Sequence, residues 1–199
     1  MSGRYIAFEG IDGAGKTTVA EAVAERLVEE GHRVEMVREP GGTEIGEAIR
    51  QIVLHSEDDL APWTEALLFA AARAQLAYEV VSPLLAEGVW VVTDRSVFSS
   101  LAYQGAGRGL GVETVRRVNA AGLGDVWPDL VVLLDLEAAE GLRRQADPDR
   151  IGGEGIELQQ RVASAYSELA EEPGFVRVDA GQGFAAVVRD CLAVIRQRW

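Results

Sequence analysis

The apolar positions of the chain form two alternating patterns, short continuous runs and longer stretches with helical spacing. The runs are bounded by Gly, Pro or Asp and predict five buried strands, at 5–9, 34–38, 89–94, 130–136 and 175–179. Val19, Val23, Leu27 and Val28 indicate one face of a helix, with Gly31 as its C-terminal cap. The other predicted helices span 44–55, 64–87, 112–121, 138–146, 156–171 and 184–196.

Strands that alternate with helices predict right-handed crossovers and a parallel sheet that is covered by helices on both faces. We therefore expect a three-layer α/β fold with a five-stranded parallel sheet. The chain has 199 residues, of which 48% are apolar and 26% are charged, and these values predict one folded domain over residues 1–199. Ligands of such sheets bind at the carboxyl ends of the strands.

The charge balance argues against two classes of partner. Asp and Glu outnumber Lys and Arg by 32 to 19, which gives a formal net charge of −13 and repels phosphate backbones and anionic lipid surfaces. We therefore expect no nucleic acid polymer and no membrane as partner. The single cysteine, Cys191, lies in an apolar helical pattern, and the N-terminus has no basic leader. Both features predict a reducing, cytoplasmic location.

Lysine is almost absent from the chain, which has 18 arginines and one lysine, Lys16. This lysine lies in EGIDGAGKTT, directly after the first predicted strand, and fits the phosphate-loop pattern G-x-x-x-x-G-K-[ST]. The backbone N–H groups of such a loop surround phosphate oxygens, and the lysine contacts the β and γ phosphates. The sequence thus predicts a nucleoside triphosphate site. Its residues are Gly10, Ile11, Asp12, Gly13, Ala14, Gly15, Lys16, Thr17 and Thr18.

A phosphate loop by itself does not choose between switch GTPases, motor ATPases and small-molecule kinases. A GTPase requires N-K-x-D to read guanine. That motif is absent here because Lys16 is the sole lysine. The sequence therefore argues against a guanine switch.

Four further segments resemble the thymidylate kinases, a family of P-loop nucleoside monophosphate kinases. They occur in the family's order and are REPGGTEIGEAIR, EALLFAAARAQ, DRSVFSSLAYQG and LLDLEAAEGLRR. The resemblance covers nearly the whole chain. It implies phosphorylation of dTMP to dTDP in dTTP synthesis, with ATP as phosphoryl donor and Mg²⁺ as cofactor. It also implies a homodimer and a short mobile lid.

Phe69 and Arg73 are the candidate contacts to the acceptor base. They are four residues apart on a predicted helix and so share one face, where a ring can stack on a base and a guanidinium can donate to its carbonyl. The resemblance implies that thymine stacks on Phe69 and that Arg73 and Gln104 bind its edge. The alternative from the residues alone is a core phenylalanine and a solvated arginine.

Arginines near the predicted strand ends would form an anion site in this acidic protein. The resemblance assigns Arg50 and Arg95 to the acceptor phosphate, whereas Arg38 is equally explained by a surface ion pair. It places Tyr103 against the deoxyribose and suggests a strained or cis peptide between Glu39 and Pro40. The remaining acceptor residues that it implies lie in one loop and are Ser99 and Ser100.

Three oxygen-bearing side chains are candidates for Mg²⁺. Asp94 ends the third predicted strand, where its carboxylate can hold the ion or its waters opposite the hydroxyl of Thr17. Asp12 within the phosphate loop is a further candidate. The alternative for Asp94 is a helix cap.

The segment RRQADPDRIGGEG, at 143–155, combines arginines and glycines and resembles the family's lid. Because the phosphate loop contains no arginine, Arg143, Arg144 and Arg150 are the candidates to stabilise charge during phosphoryl transfer. We expect the catalytic set to be Lys16, Asp12, Arg95, Arg143 and Arg150. The chain departs from the family at Ser96, usually an aromatic residue or histidine, and at Gly152 and Gly153, which leave Glu154 as the lid's carboxylate.

Two alternatives remain open at this point. The first is a kinase on the same scaffold that phosphorylates another nucleoside monophosphate or a deoxynucleoside. The second is a nucleotide-binding module without catalysis.

Overall fold

The computed structural model describes residues 3–56, 59–145 and 150–199 and contains one sheet of five parallel strands. The strands are β1 (Arg4–Glu9), β2 (Val34–Arg38), β3 (Trp90–Asp94), β4 (Leu130–Asp135) and β5 (Phe175–Asp179). Their order in the sheet is β2-β3-β1-β4-β5. All five predicted strands are confirmed, with ends that differ by one residue at most.

Nine helices occur within these described ranges. They are α1 (Lys16–Glu29), α2 (Glu44–His55), α3 (Pro62–Leu76), α4 (Ser82–Ala86), α5 (Val97–Ser100), α6 (Val112–Leu123), α7 (Ala138–Arg144), α8 (Ile156–Leu169) and α9 (Phe184–Arg198). π-Helical turns span Ala77–Val81 and Leu101–Gly107, and a 3-10 turn spans Gly152–Glu154. The helix predicted at 64–87 is thus divided by a π turn. Pro83 has no N–H for the preceding turn, which is a common cause of such widening.

Helices cover both faces of the sheet, as the alternation predicted. On one face Tyr5 and Val91 pack against Leu76 and Val81, which belong to α3 and the π turn after it. On the other face the side chains of the strands, such as Phe8, pack with α1 and α9 in the larger core cluster. The three-layer α/β fold is therefore confirmed.

The sequence pattern of α1 is confirmed except at one position. Val19, Val23 and Leu27 are buried, and Gly31 follows the helix with a φ of +92° while its N–H donates to Val28 O at 2.9 Å. Val28, which the pattern predicts on the buried face, is 53% exposed. One residue after Leu27, it is turned away from the sheet because a helix rotates about 100° per residue.

Cys191 is fully buried in α9, and burial raises the pKa of its thiol to about 12. It is a core residue here. Among the described residues, no helix combines the length and the apolar character that crossing a membrane requires.

Candidate active site

The phosphate loop connects β1 to α1 and has a backbone that only glycine accommodates at two points. Gly10 has a φ of +144°, and a Cβ built there would lie 2.6 Å from Leu134 O. Gly13 has a φ of +81°, and a Cβ there would collide with the backbone of Gly141 in α7. Loop and helix α7 therefore pack backbone to backbone. This close approach fixes the loop at the carboxyl edge of the sheet.

Lys16 begins α1 and is folded under the phosphate loop. Its side chain is buried, and Nζ donates to Ile11 O at 2.9 Å. Burial and the nearby charge of Arg95 lower the pKa of Lys16 to about 8. The ammonium is therefore poorly solvated, and a bound anion would compensate its charge.

Asp12 and Arg95 form an ion pair at the mouth of the loop. Arg95 has a φ of +70°, which is uncommon for a residue other than glycine, and its guanidinium lies 5.2 Å from the ring centre of Tyr103. Asp12 also accepts from Gln159 Nε2 at 2.9 Å. Burial alone would raise the pKa of Asp12, but Arg95 and Lys16 lower it to about 2. Asp12 is consequently ionised at neutral pH.

Thr17 and Asp94 meet where α1 passes the end of β3. The Thr17 hydroxyl donates to Asp94 Oδ2 at 2.5 Å. The other carboxylate oxygen, Oδ1, is buried and has no hydrogen-bond partner in the part of the chain that the structure describes. A hydroxyl and a carboxylate with an unused oxygen are hard ligands of the kind that Mg²⁺ prefers. The two residues therefore fit the predicted metal site.

A cavity of about 300 Å³ lies beside the phosphate loop. Its walls come from the phosphate loop, the ends of β2 and β3, and the helices α2, α3 and α5. It is lined by Asp12, Thr17, Arg38, Glu39, Pro40, Arg50, Leu54, Phe69, Arg73, Asp94, Arg95, Ser99, Ser100, Tyr103, Gln104 and Ile151. All ten residues predicted to bind the acceptor are thus brought together around one cavity.

Arg73 is buried in the cavity wall and is not the solvated arginine of the alternative interpretation. It is 4% exposed, and its Nε donates to Glu39 Oε2 at 2.5 Å. Nη1 donates to Asn119 Oδ1 at 2.5 Å, and Nη2 donates to Ser96 O at 3.2 Å. Burial raises the pKa of Glu39 despite the opposing charge of Arg73. The guanidinium plane is therefore fixed before any ligand binds.

Arg38 of β2 and Arg50 of α2 also line the cavity. Arg50 Nη1 donates to Pro40 O at 2.8 Å, and the Glu39–Pro40 peptide is cis, as the resemblance suggested. Arg38 is mostly exposed and pairs with Glu47 at 3.2 Å. Its surface ion pair is therefore present, although the residue also lines the cavity rim.

The acceptor segment after β3 is helical, and its description as a loop is wrong. Ser99 and Ser100 lie in α5, whereas Tyr103 and Gln104 lie in the π turn that continues it. The helix starts here because the Ser96 hydroxyl accepts from Phe98 N at 3.4 Å, which caps the first turn.

Glu9 is a buried site residue that the motif analysis missed. Its Oε1 accepts from the Ser96 N–H at 2.8 Å and hydroxyl at 2.7 Å, and its Oε2 accepts from the hydroxyls of Ser99 and Tyr166, both at 2.7 Å. Glu9 thereby orders the residues that flank Arg95. The available signal was a carboxylate at the end of an otherwise apolar strand. The motifs also did not indicate three buried residues that contact site side chains. They are Asn119, Gln159 and Glu65, which contact Arg73, Asp12 and Gln104.

The lid arginines bind carboxylates and backbone carbonyls in this structure. Arg143 is exposed and pairs with Glu140, and Arg144 donates to Glu140 at 2.8 Å and to Ala180 O at 3.1 Å. Arg150 Nη2 pairs with Glu65 Oε2 at 2.6 Å. The catalytic role of these arginines stays a prediction.

The other lid residues are only partly covered by the structure. Glu154 pairs with Arg108. Residues 146–149 of the predicted lid, including Pro148, lie outside the described residues.

Comparison with known proteins gives the same family as the motifs. The family profile described as Thymidylate kinase matches residues 8–191. The thymidylate kinase of Desulforudis audaxviator (strain MP104C) is 51% identical over 180 residues, which cover 87% of this chain and 81% of that protein. The thymidylate kinase of Bacillus licheniformis is 42% identical over 205 residues, covering 99% and 97%. That of Thermoanaerobacter sp. (strain X514) is 38% identical over 201 residues, covering 99% of each. The chain therefore belongs to the thymidylate kinase family, the enzymes that phosphorylate dTMP to dTDP with ATP.

Proposed function

We propose that this protein transfers the γ-phosphoryl group of ATP to the phosphate of dTMP, which binds in the cavity beside the phosphate loop. One observation carries the proposal. Asp12 and Thr17 of the phosphate loop line the same cavity as Phe69, Arg73 and Gln104, the candidate contacts to a base. A donor phosphate on the loop and an acceptor nucleotide in the cavity would therefore meet.

The base end of the cavity fits a planar ring with carbonyl groups. Phe69 offers an aromatic face, Arg73 has a guanidinium fixed by three acceptors, and Gln104 offers a buried amide. We assign Tyr103 to the deoxyribose of dTMP, between the base contacts and the phosphate loop. Glu39, Pro40, Ser99 and Ser100 complete the wall of the acceptor site.

Charge neutralisation is the main chemical task of the site. The second pKa of a phosphate monoester is about 6, so the acceptor is already largely anionic at pH 7 and requires no strong base. Arg95 and Arg50 would hold the acceptor phosphate, and Lys16 would hold the β and γ phosphates of ATP. These cations lower the repulsion between donor and acceptor and align them for in-line transfer. Asp12 would keep Arg95 oriented until the acceptor phosphate binds.

Thr17 and Asp94 would hold Mg²⁺, which supplies charge neutralisation at the β and γ phosphates when it is bound. The unpartnered Oδ1 of Asp94 supports this assignment. Changing Asp94 to asparagine should raise the Mg²⁺ concentration for half-maximal rate by about tenfold or more. An unchanged Mg²⁺ dependence would remove Asp94 from the metal site.

Arg143 and Arg150 of the lid are our candidates for the arginine that stabilises the transferring group. Both are bound to carboxylates here, to Glu140 and to Glu65, so each would have to exchange a carboxylate for a phosphate. Such an exchange is electrostatically reasonable because phosphate offers more charge and more acceptor oxygens.

We also propose that the chain forms a single kinase domain, acts in the cytoplasm and assembles as a homodimer. Large apolar side chains are exposed on α2 and α3, which supports an interface there. They are Ile45, Ile52, Trp63 and Leu67. Sedimentation analysis should give twice the monomer mass of 21.4 kDa. A purely monomeric protein at assay concentrations would exclude the dimer.

The test of the proposed function is a coupled ADP-release assay with MgATP and separate acceptors. The panel contains dTMP, dUMP, UMP, dCMP, AMP and thymidine. We expect selective turnover of dTMP. Selective turnover of another acceptor would retain the phosphate-loop chemistry and overturn the base assignments, and ATP binding without any turnover would favour a non-catalytic module.

A further inference from the structure

Glu65 is a buried carboxylate that contacts Gln104 in the wall of the acceptor cavity. It lies on α3, one helical turn before Phe69, and is 1% exposed. Three side chains donate to it, those of Gln104, Arg108 and Arg150. Of these three, Gln104 also lines the cavity.

The contact between Glu65 and Gln104 fixes the orientation of the Gln104 amide. Gln104 Nε2 donates to Glu65 Oε1 at 2.9 Å, and Gln104 is 2% exposed. An ionised carboxylate has no hydrogen to donate, so only the nitrogen end of the amide can face it. The amide oxygen is consequently the end that remains for a ligand.

Two arginines keep Glu65 ionised. Arg108 donates to it through Nε at 3.1 Å and Nη2 at 2.9 Å, and Arg150 donates through Nη2 at 2.6 Å. Burial alone would raise the pKa of Glu65, but these guanidinium groups and Gln104 lower it below its usual range. A protonated Glu65, which could donate to the Gln104 oxygen and reverse the amide, is thereby disfavoured.

We propose that Glu65 is a positioning residue that determines which pyrimidine the enzyme accepts. By holding the nitrogen of the Gln104 amide, it presents the amide oxygen to the ring, so the acceptor base must bring an N–H to that position. Thymine and uracil carry a hydrogen on ring nitrogen 3, whereas cytosine has a lone pair there. Glu65 thus selects against cytosine without touching the base. This inference rests on the proposed binding of dTMP in the cavity.

The test compares kcat/KM for dTMP, dUMP and dCMP in the wild-type protein and in Glu65→Gln. The glutamine that replaces Glu65 can donate or accept, so the Gln104 amide is free to reverse and to accommodate cytosine. We expect the preference for dTMP over dCMP to fall by roughly tenfold or more, since a hydrogen-bonding site loses most of its discrimination when its polarity is no longer fixed. The preference for dTMP over dUMP should not change.

Glu79→Gln is the matched control. Gln75 Nε2 donates to Glu79 Oε1 in the same kind of amide–carboxylate contact, but this pair lies on the surface. The Glu79→Gln protein should retain the wild-type preference among all three acceptors. Arg108→Met tests the ion-pair cluster separately. It removes one of the two guanidinium groups that keep Glu65 ionised, so it should lower the preference for dTMP over dCMP in the same direction as Glu65→Gln but by less, because Arg150 remains paired with Glu65.

An equal loss with all three acceptors in Glu65→Gln would overturn the inference, because a merely structural residue or a lid anchor does not distinguish the bases. A larger selective loss in Arg108→Met than in Glu65→Gln would overturn it as well, because Arg108 acts on the base only through Glu65 in this explanation. If Glu65→Gln does not fold, Glu65→Asp retains the charge but is too short to reach Gln104, and the same fall in preference is expected. A wild-type protein that does not prefer dTMP would instead contradict the proposed function.

Discussion

Replacing Lys16 by methionine should abolish phosphoryl transfer and at the same time make the folded protein more stable. The side chain of Lys16 is 6% exposed, and its one hydrogen bond within the described residues joins Nζ to Ile11 O at 2.9 Å. The ammonium also lies at the start of α1, where the helix dipole disfavours positive charge. Methionine has a similar length and removes only the charge.

The size of the stabilisation follows from the pKa of Lys16. Burial and Arg95 lower it from its usual 10.5 to about 8. Because one pKa unit corresponds to about 1.4 kcal/mol, the charged lysine costs the folded state about 3 kcal/mol at pH 7. The lost hydrogen bond offsets about 1 kcal/mol of the gain. We therefore expect the variant to be more stable by about 2 kcal/mol, a rise in Tm of about 4 to 8 °C for a chain of this length.

The stability difference between the Lys16→Met protein and the wild type should decrease as the pH rises. Below pH 8 the lysine is charged in both the folded and the unfolded state, so the full cost is present. Above pH 10.5 it is neutral in both states, and the cost vanishes. The advantage of the Lys16→Met protein should thus be largest at neutral pH and disappear between pH 8 and 10.5.

Thermal and urea unfolding at pH 7 and pH 10, together with the ADP-release assay, measure both effects. The unfolding must be carried out without nucleotide, because bound ATP would stabilise the wild-type protein selectively. A variant that is inactive but less stable than wild type would refute the reasoning about burial. A folded variant with near-normal turnover would refute the role of Lys16.

Two further predictions concern ion pairs of the candidate site. Arg73→Ala should destabilise the protein by about 3 to 5 kcal/mol, because it leaves Glu39 buried without its partner, and should raise the KM for dTMP while sparing that for ATP. Adding Glu39→Gln should recover stability in urea unfolding but not the KM; recovery of both would make Arg73 purely structural. Asp12→Asn should cost about 2 kcal/mol at pH 7, since the pKa of Asp12 is lowered from 3.8 to about 2 in the folded state. That difference should vanish as the pH falls from 4 to 2, and a pH-independent difference would contradict the ionic explanation.

The sequence pattern correctly predicted those parts of the candidate site whose residues all come from one continuous segment of the chain. The glycines around Lys16 and the alternating strands and helices placed the phosphate loop at the carboxyl edge of the sheet, where the structure has it. Phe69 and Arg73 could be assigned to one face because helical geometry relates positions four apart. The prediction of a loop after β3 is wrong, because a serine cap and a π turn leave little periodicity in so short a helix.

The sequence by itself determined the elements, their order along the chain and the presence of a phosphate loop, because these depend on contacts between neighbours along the chain. Only the tertiary structure decided how the side chains are oriented and charged. Glu9 meets Tyr166 across 157 positions, and Glu65 meets Arg150 across 85. Periodicity indicates which face of an element is buried, but not which polar groups from distant segments meet there. In this protein those long-range contacts fix Arg95 and Gln104, the side chains that would bind the acceptor.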